Sequence, residues 1–195
     1  MSKIVLEKLA AKLGERLIET HDACGDETAV VTPDAWKEAC LLLRDHPALD
    51  FDLFVDLCAV DYPERDPRFE VVLHVYSVGK RHRVRLKTRV GDAEGEGAEL
   101  DTITDVWAGA NWFERETYDM MGITFRGHPD LRRILLYPEF VGHPLRKDYP
   151  AWKTQPLIPY RTEAEAGTIL EKIAPFGADE GMSFGRKPTF SREES

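Results

Sequence analysis

Between residues 111 and 150, NWFERETYDM MGITFRGHPD LRRILLYPEF VGHPLRKDYP, the chain gathers the side chains that could do chemistry. Glu114 and Glu116 flank Arg115, and two carboxylates held at separated pKa values can run proton transfer. His128 and His143 each precede a proline and could ligate a metal or relay a proton, while Arg146, Lys147 and Asp148 could hold a phosphate or a quinone headgroup. Each also has a plainer reading. Adjacent helical residues do not share a face, and no nucleophile, glycine-rich phosphate loop or metal-ligand cluster accompanies the glutamates, so a structural ion-pair network fits them better than an active site. A lone histidine in each of two loops lacks the companions a metal needs. A planar guanidinium in a stiff loop suits a carboxylate on a neighbouring subunit as well as it suits an anion. No catalytic, cofactor-binding or metal-ligating residue is assigned.

The elements that must position these residues follow from the same stretch. NWFERETYDMM contains good helix formers and no proline, and Gly122 stands where a left-handed residue would end the helix. Trp112, Phe113, Tyr118, Met120 and Met121 mix with Glu114, Arg115, Glu116 and Asp119 on almost every side, so the helix is expected to be enclosed by more than its own domain. Arg115 and Arg146 are then expected to pair with enclosed carboxylates, because buried charges need partners. Residues 123 to 150 hold the bases Arg126, Arg132, Arg133, Arg146 and Lys147 against the acids Asp130, Glu139 and Asp148. Pro129, Pro138, Pro144 and Pro150 make that stretch a stiff irregular path.

ERETYDMMGITFRGHPDLRRIL resembles the signature of the NuoC family of the proton-pumping NADH:quinone oxidoreductase, respiratory complex I, and GHPLRKDYP is similar to that family's second hallmark. Glu114, Arg115, Glu116, Asp119, His128, Arg132, Ile134 and Leu135 fall in register with it, over a likeness spanning residues 28 to 150. Met121 departs from the aromatic expected there, and a methionine is an adaptable filler. The resemblance implies a cofactor-free, non-catalytic subunit of the peripheral arm that scaffolds the quinone-binding module. NADH, FMN, iron–sulfur clusters and quinone then belong to the whole complex. The implied partners are other peripheral-arm subunits, above all the quinone-pocket subunit and the terminal iron–sulfur subunit. The implied place is the cytoplasmic face of the bacterial inner membrane, with the membrane touched only indirectly. It makes Glu114, Arg115, Glu116, Asp119, His128, Arg132, Arg133, His143, Arg146, Lys147 and Asp148 an interface and structural motif. A homologous subunit of a membrane-bound hydrogenase or another quinone-linked dehydrogenase is the alternative, with a stand-alone acid/base enzyme as the remoter one.

Upstream, residues 3 to 20 read as an amphipathic helix, 28 to 32 as a short strand, and Thr32-Pro33 as the start of a helix that His46-Pro47 stops. Residues 50 to 60 carry apolar side chains on both faces and read as a central strand. A hairpin follows, in which a turn at Gly79-Lys80 sets Tyr76 opposite Arg83, His74 opposite Arg85, Val72 opposite Lys87 and Glu70 opposite Arg89. One face then carries Arg81, Arg83, Arg85, Lys87 and Arg89, a candidate docking face for an acidic partner. Residues 91 to 101 read as a flexible exposed loop.

The fold class is therefore mixed α/β (α+β): a single domain over residues 1 to 150, with a small mixed sheet of about four strands packed by helices. Residues 151 to 195 read as an extended partner-binding tail, with a helix over 162 to 173 and Trp152, Phe176, Phe184 and Phe190 as anchors. At 195 residues and 43% hydrophobic the chain can bury one core. A net charge of −9 disfavours nucleic acid as the general partner. No run is apolar enough to span a membrane, and MSKIVLEKLAAK reads as neither a secretory signal nor a transit segment. Cys24, Cys40 and Cys58 are too few and too scattered for an iron–sulfur cluster and are expected to be buried free thiols.

Overall fold

A computed structural model describes residues 3–156, and the expected tail helix with its anchors Phe176, Phe184 and Phe190 lies outside them. Helix α1 (Lys3–Leu13) opens this body. Strands β1 (Leu17–His21) and β2 (Thr28–Val31) and helix α2 (Trp36–Asp45) follow. Next come β3 (Leu53–Asp61), β4 (Phe69–Ser77), β5 (His82–Val90) and β6 (Glu99–Asp101). Helix α3 (Ala110–Met121) and strand β7 (Thr124–Arg126) lead into an irregular wrap.

Five strands form one sheet in the order β1-β2-β5-β4-β3, with β2 parallel to β5 and the other pairs antiparallel. The sheet is one strand larger than expected because the first helix is shorter. Gly14 adopts φ 56 and ends α1, and Leu17 to His21 extend along β2 instead of continuing the helix. Alternation then decides the layers: Val71, Leu73, Val75, Val84, Leu86 and Val90 point to one face of the β4–β5 ladder and are buried. Val5, Leu9 and Leu13 of α1 and Trp36, Ala39, Cys40 and Leu43 of α2 join them in one core. Each such aliphatic side chain contributes roughly 1.5–3 kcal/mol when fully buried.

The hairpin register is the one the sequence sets, Tyr76 opposite Arg83 through Glu70 opposite Arg89. Its turn is longer, running from Ser77 to His82, and Arg81 sits in it at φ 54, off the strand face. The loop expected to be flexible is also more ordered: Asp92 accepts the Glu96 N–H at 2.7 Å, Gly95 is buried, and residues 99–101 pair in parallel with β7. Of the cysteines, Cys40 is buried, whereas Cys24 and Cys58 are exposed, correcting the expectation of three buried thiols.

Candidate functional site

Helix α3 is the post around which residues 127 to 155 wind; two carboxylates tie the winding down and a third braces the helix itself. Asp119 is fully buried, where burial alone would raise its pKa. Its Oδ2 accepts the backbone N–H groups of Ile134, Leu135 and Leu136 at 3.1, 2.9 and 2.9 Å, and its Oδ1 accepts Arg133 at 2.6 Å. These donors outweigh the desolvation and hold the carboxyl below its ordinary range. The same Arg133 reaches the Gly142 carbonyl at 3.0 Å, and the His143 Nδ1–H donates to the Asp119 carbonyl at 2.9 Å. Asp119 therefore gathers three successive amides through its carboxylate, and the far end of the loop through Arg133 and its own carbonyl.

The second tie lies outside the stretch that drew attention in the sequence. Arg68, at the foot of β4, forms a fork to Asp61, at the end of β3, with Nε–Oδ1 and Nη2–Oδ2 distances of 2.7 and 2.8 Å. Both side chains are almost wholly buried. Arg68 also donates to Asp148 at 3.0 Å, and Asp61 accepts the Lys147 N–H at 2.7 Å, so the end of the wrap is fastened to the sheet. Arg68, ahead of all else, holds the Asp61 carboxyl below the usual range. Neither residue carries a sequence signal beyond a charged position at a strand end; their pairing across the loop between β3 and β4 is visible only in the fold.

The third carboxylate is Glu114, fully buried, accepting the Thr102 hydroxyl at 2.6 Å and the Ile103 N–H at 2.7 Å. It fastens the start of α3 to the segment leaving β6.

Two arginines depart from expectation. Arg115 donates to the carbonyls of Arg132 and Arg133 at 3.1 and 3.2 Å, and Arg146 to those of Met121 and Gly95 at 2.7 and 3.3 Å. Both serve carbonyls that helix end and loop leave without backbone partners, in place of the expected carboxylates. Nor does α3 need a second domain to enclose it: Glu114 and Asp119 are satisfied within the chain, while Trp112 and Glu116 face outward.

Arg146 explains Gly122. That glycine ends α3 at φ 78, and a Cβ there would lie 2.7 Å from both the Arg146 guanidinium and the His143 ring. Gly122→Ala is expected to cost about 1–2 kcal/mol for the left-handed backbone alone, with displacement of Arg146 in addition. Thermal unfolding of the variant checks this as a lowered midpoint, whereas the same change at Gly97, which has positive φ and open space, should cost only the backbone part.

The remaining motif residues face outward, except His128, whose side chain is buried. Arg132 is 73% exposed and paired only with Asp130. Lys147 and Glu116 are exposed, and Asp148 is half exposed behind Arg68. His128 is held at both ring nitrogens, Nδ1 accepting the Asp130 N–H at 3.0 Å and Nε2–H donating to the Asn111 carbonyl at 3.2 Å. The wrap also exposes apolar side chains that the motif did not single out: Leu135, Val141, Leu145 and Trp152. Gln155 anchors its end, accepting the Val141 N–H at 2.9 Å and reaching the Tyr149 hydroxyl.

On the hairpin, the strand bases have carboxylate partners in the chain itself. Arg83 and Arg85 reach Asp26 at 2.6 and 3.5 Å, Lys87 and Arg89 reach Glu70 at 2.7 and 3.4 Å, and Arg89 lies 3.9 Å from Glu19. Much of the positive charge on that face is thus met internally. Among the described residues no group of three His, Cys, Asp or Glu side chains could hold a metal, and no helix is long and apolar enough to cross a membrane.

An α/β body whose signature side chains brace a proline-rich wrap, and whose outward residues are apolar or charged contacts, is a scaffold-type component of a larger assembly. Residues 29–155 match the model of the respiratory-chain NADH dehydrogenase 30 kDa subunit, and the chain belongs to that family. It is 46% identical over 157 residues to the NuoC protein of the NADH-quinone oxidoreductase of Thiobacillus denitrificans, covering 75% of this chain and 78% of that one. It is 43% identical over 170 residues to the NuoC protein of the same enzyme in Acidithiobacillus ferrooxidans, covering 84% and 81%. The fold is shared with a chain in the structure of the membrane-bound sulfane sulfur reductase, an archaeal respiratory membrane complex, with a TM-score of 0.64 at 22% identity over 93% of this chain and 97% of that one.

Proposed function

We propose that this chain is the non-catalytic NuoC component of a proton-translocating NADH:quinone oxidoreductase, in whose peripheral arm it scaffolds the quinone-binding module. It works at the cytoplasmic face of the bacterial inner membrane without entering the bilayer. The observation that carries the reading is the Asp119 tie, which fixes Ile134 to Leu136 rigidly while leaving Leu135 exposed to a partner. A loop held by three amides to one buried carboxylate loses little entropy on docking, so it can set the position of a neighbour. The partners proposed are the quinone-pocket subunit and the subunit bearing the terminal iron–sulfur cluster. Such positioning matters because displacements of about 1 Å disturb chemistry at a site.

The chain binds no cofactor in this reading, and the isolated protein turns over no substrate. Elemental analysis and an absorption spectrum of the purified full chain are expected to show no stoichiometric iron, zinc or flavin; a stoichiometric metal would overturn the scaffold assignment. The function itself is tested in a strain lacking the gene. NADH:quinone reductase activity and assembled complex should be lost together and restored together by the intact chain. A Leu135→Asp variant should fold normally and fail to restore assembly, since it sets a charge where the partner meets an exposed apolar contact. Full assembly with that variant would place the contact elsewhere.

A further inference from the structure

Glu114 is fully buried, and among the described residues no lysine or arginine forms an ion pair with it. Every charged or titratable group facing it has other employment. Lys37 on α2 is held by Asp105 at 2.8 Å, and Asp105 itself is a like charge. Cys40 on α2 is a buried thiol whose pKa is pushed up by burial and then by Glu114. His128 Nε2 lies 4.0 Å from the carboxylate but donates to the Asn111 carbonyl, with Nδ1 occupied by the Asp130 N–H. Arg115, next along the helix, turns to the carbonyls of Arg132 and Arg133.

What Glu114 does have is a line of hydroxyls. Thr102 Oγ1 lies 2.6 Å from Oε2 and 3.0 Å from Thr104 Oγ1, and it accepts the Thr104 N–H at 3.2 Å. A hydroxyl has one hydrogen and two lone pairs. With one lone pair taken by that amide, the hydrogen and the other lone pair of Thr102 are shared between Glu114 and Thr104. Two arrangements satisfy every atom. With Glu114 ionised, Thr104 donates to Thr102 and Thr102 donates to the carboxylate. With Glu114 protonated on Oε2, the carboxyl donates to Thr102 and Thr102 donates to Thr104. Oε1 accepts the Ile103 N–H in both.

We propose that Glu114, Thr102 and Thr104 form a buried proton-binding site at the start of α3, in which the two hydroxyls reverse direction as the carboxyl gains or loses its proton. Thr104 is the half-buried end of the line, where solvent is reached. Uptake balances along it: a proton arriving at Thr104 releases that hydroxyl's own proton to Thr102, and Thr102 passes its proton to Oε2, so each threonine ends with one proton and the carboxylate becomes neutral. Burial supports the assignment, raising the carboxyl from 4.5 to about 7 against the opposing pull of the Ile103 amide and the Thr102 hydroxyl.

The sign of the consequence follows. A carboxyl that holds its proton more tightly when folded contributes stability at low pH, fully present below about 4.5 and lost as pH rises towards about 7. Over that window this one proton lowers the folded-to-unfolded ratio by up to about tenfold per pH unit.

The test is a carbon-13 NMR titration of the full chain with labelled glutamate side-chain carboxyls. One resonance is expected to titrate near neutral pH, well clear of the other glutamates, and to be absent from Glu114→Gln. Thr102→Val removes the donor to the ionised form and should move that midpoint higher; Thr102→Ser keeps the hydroxyl and should leave it unchanged. A Glu114 midpoint in the ordinary glutamate range, or one indifferent to Thr102→Val, overturns the site. Should Glu114→Gln fail to fold, the two Thr102 variants decide, because they retain the titrating group.

Discussion

Asp119→Ala is expected to be among the most damaging single changes in this protein. It leaves the largely buried Arg133 without its carboxylate partner and strips three successive amides of their acceptor. Removing one member of an enclosed ion pair costs on the order of 3–5 kcal/mol. At roughly 2–4 °C per kcal/mol for a protein of this size, thermal unfolding should show it plainly. Arg132→Ala is the internal control, since its exposed pair with Asp130 contributes only about 0–1 kcal/mol. In cells the Asp119 variant should lower the amount of assembled complex, and turnover per assembled complex should change far less. Normal assembly with collapsed turnover would instead place Asp119 in the chemistry or its coupling, against the scaffold reading.

Arg68→Ala should be comparably severe for the same reason. The buried Asp61 keeps only the Lys147 amide, and Asp148 loses its contact with the sheet. A cost on the order of 3–5 kcal/mol is again expected, measured as a reduced denaturant midpoint. Replacing both partners by apolar residues, Asp61→Leu with Arg68→Met, should recover much of the loss, because a buried pair carries a large desolvation cost of its own. If the double variant is as unstable as the single one, the fork's role lies in fastening the wrap through Lys147 and Asp148. The acid dependence follows from the depressed carboxyls. Asp61 and Asp119 contribute stability present above the ordinary carboxylate range and lost as pH falls through their lowered values, opposite in sign to Glu114.

The sequence by itself determined the family, the motif helix with Gly122 as its end, the hairpin register and the irregular path after it. These are local quantities. Helix capping, strand alternation and proline's fixed φ act within a few residues, and a long signature needs only residue order. The sequence also marked Glu114, Asp119, Arg133, His143 and Arg146 as a group that belongs together. It did not say what they bind. That Arg115 and Arg146 serve carbonyls and not carboxylates was decided by where the end of α3 and the wrap meet in space. Arg68 and Asp61 looked like ordinary charges at strand ends until the antiparallel pairing of β3 with β4 set them side by side in the interior. The fifth strand of the sheet and the β6–β7 pair escaped for a related reason: Leu17 to His21 has the composition of a helix and Glu99 to Asp101 that of a loop, and only the edges waiting at β2 and β7 give their backbones a partner. A sequence carries its periodicities with it, but a buried charge finds its partner only when distant segments are brought together.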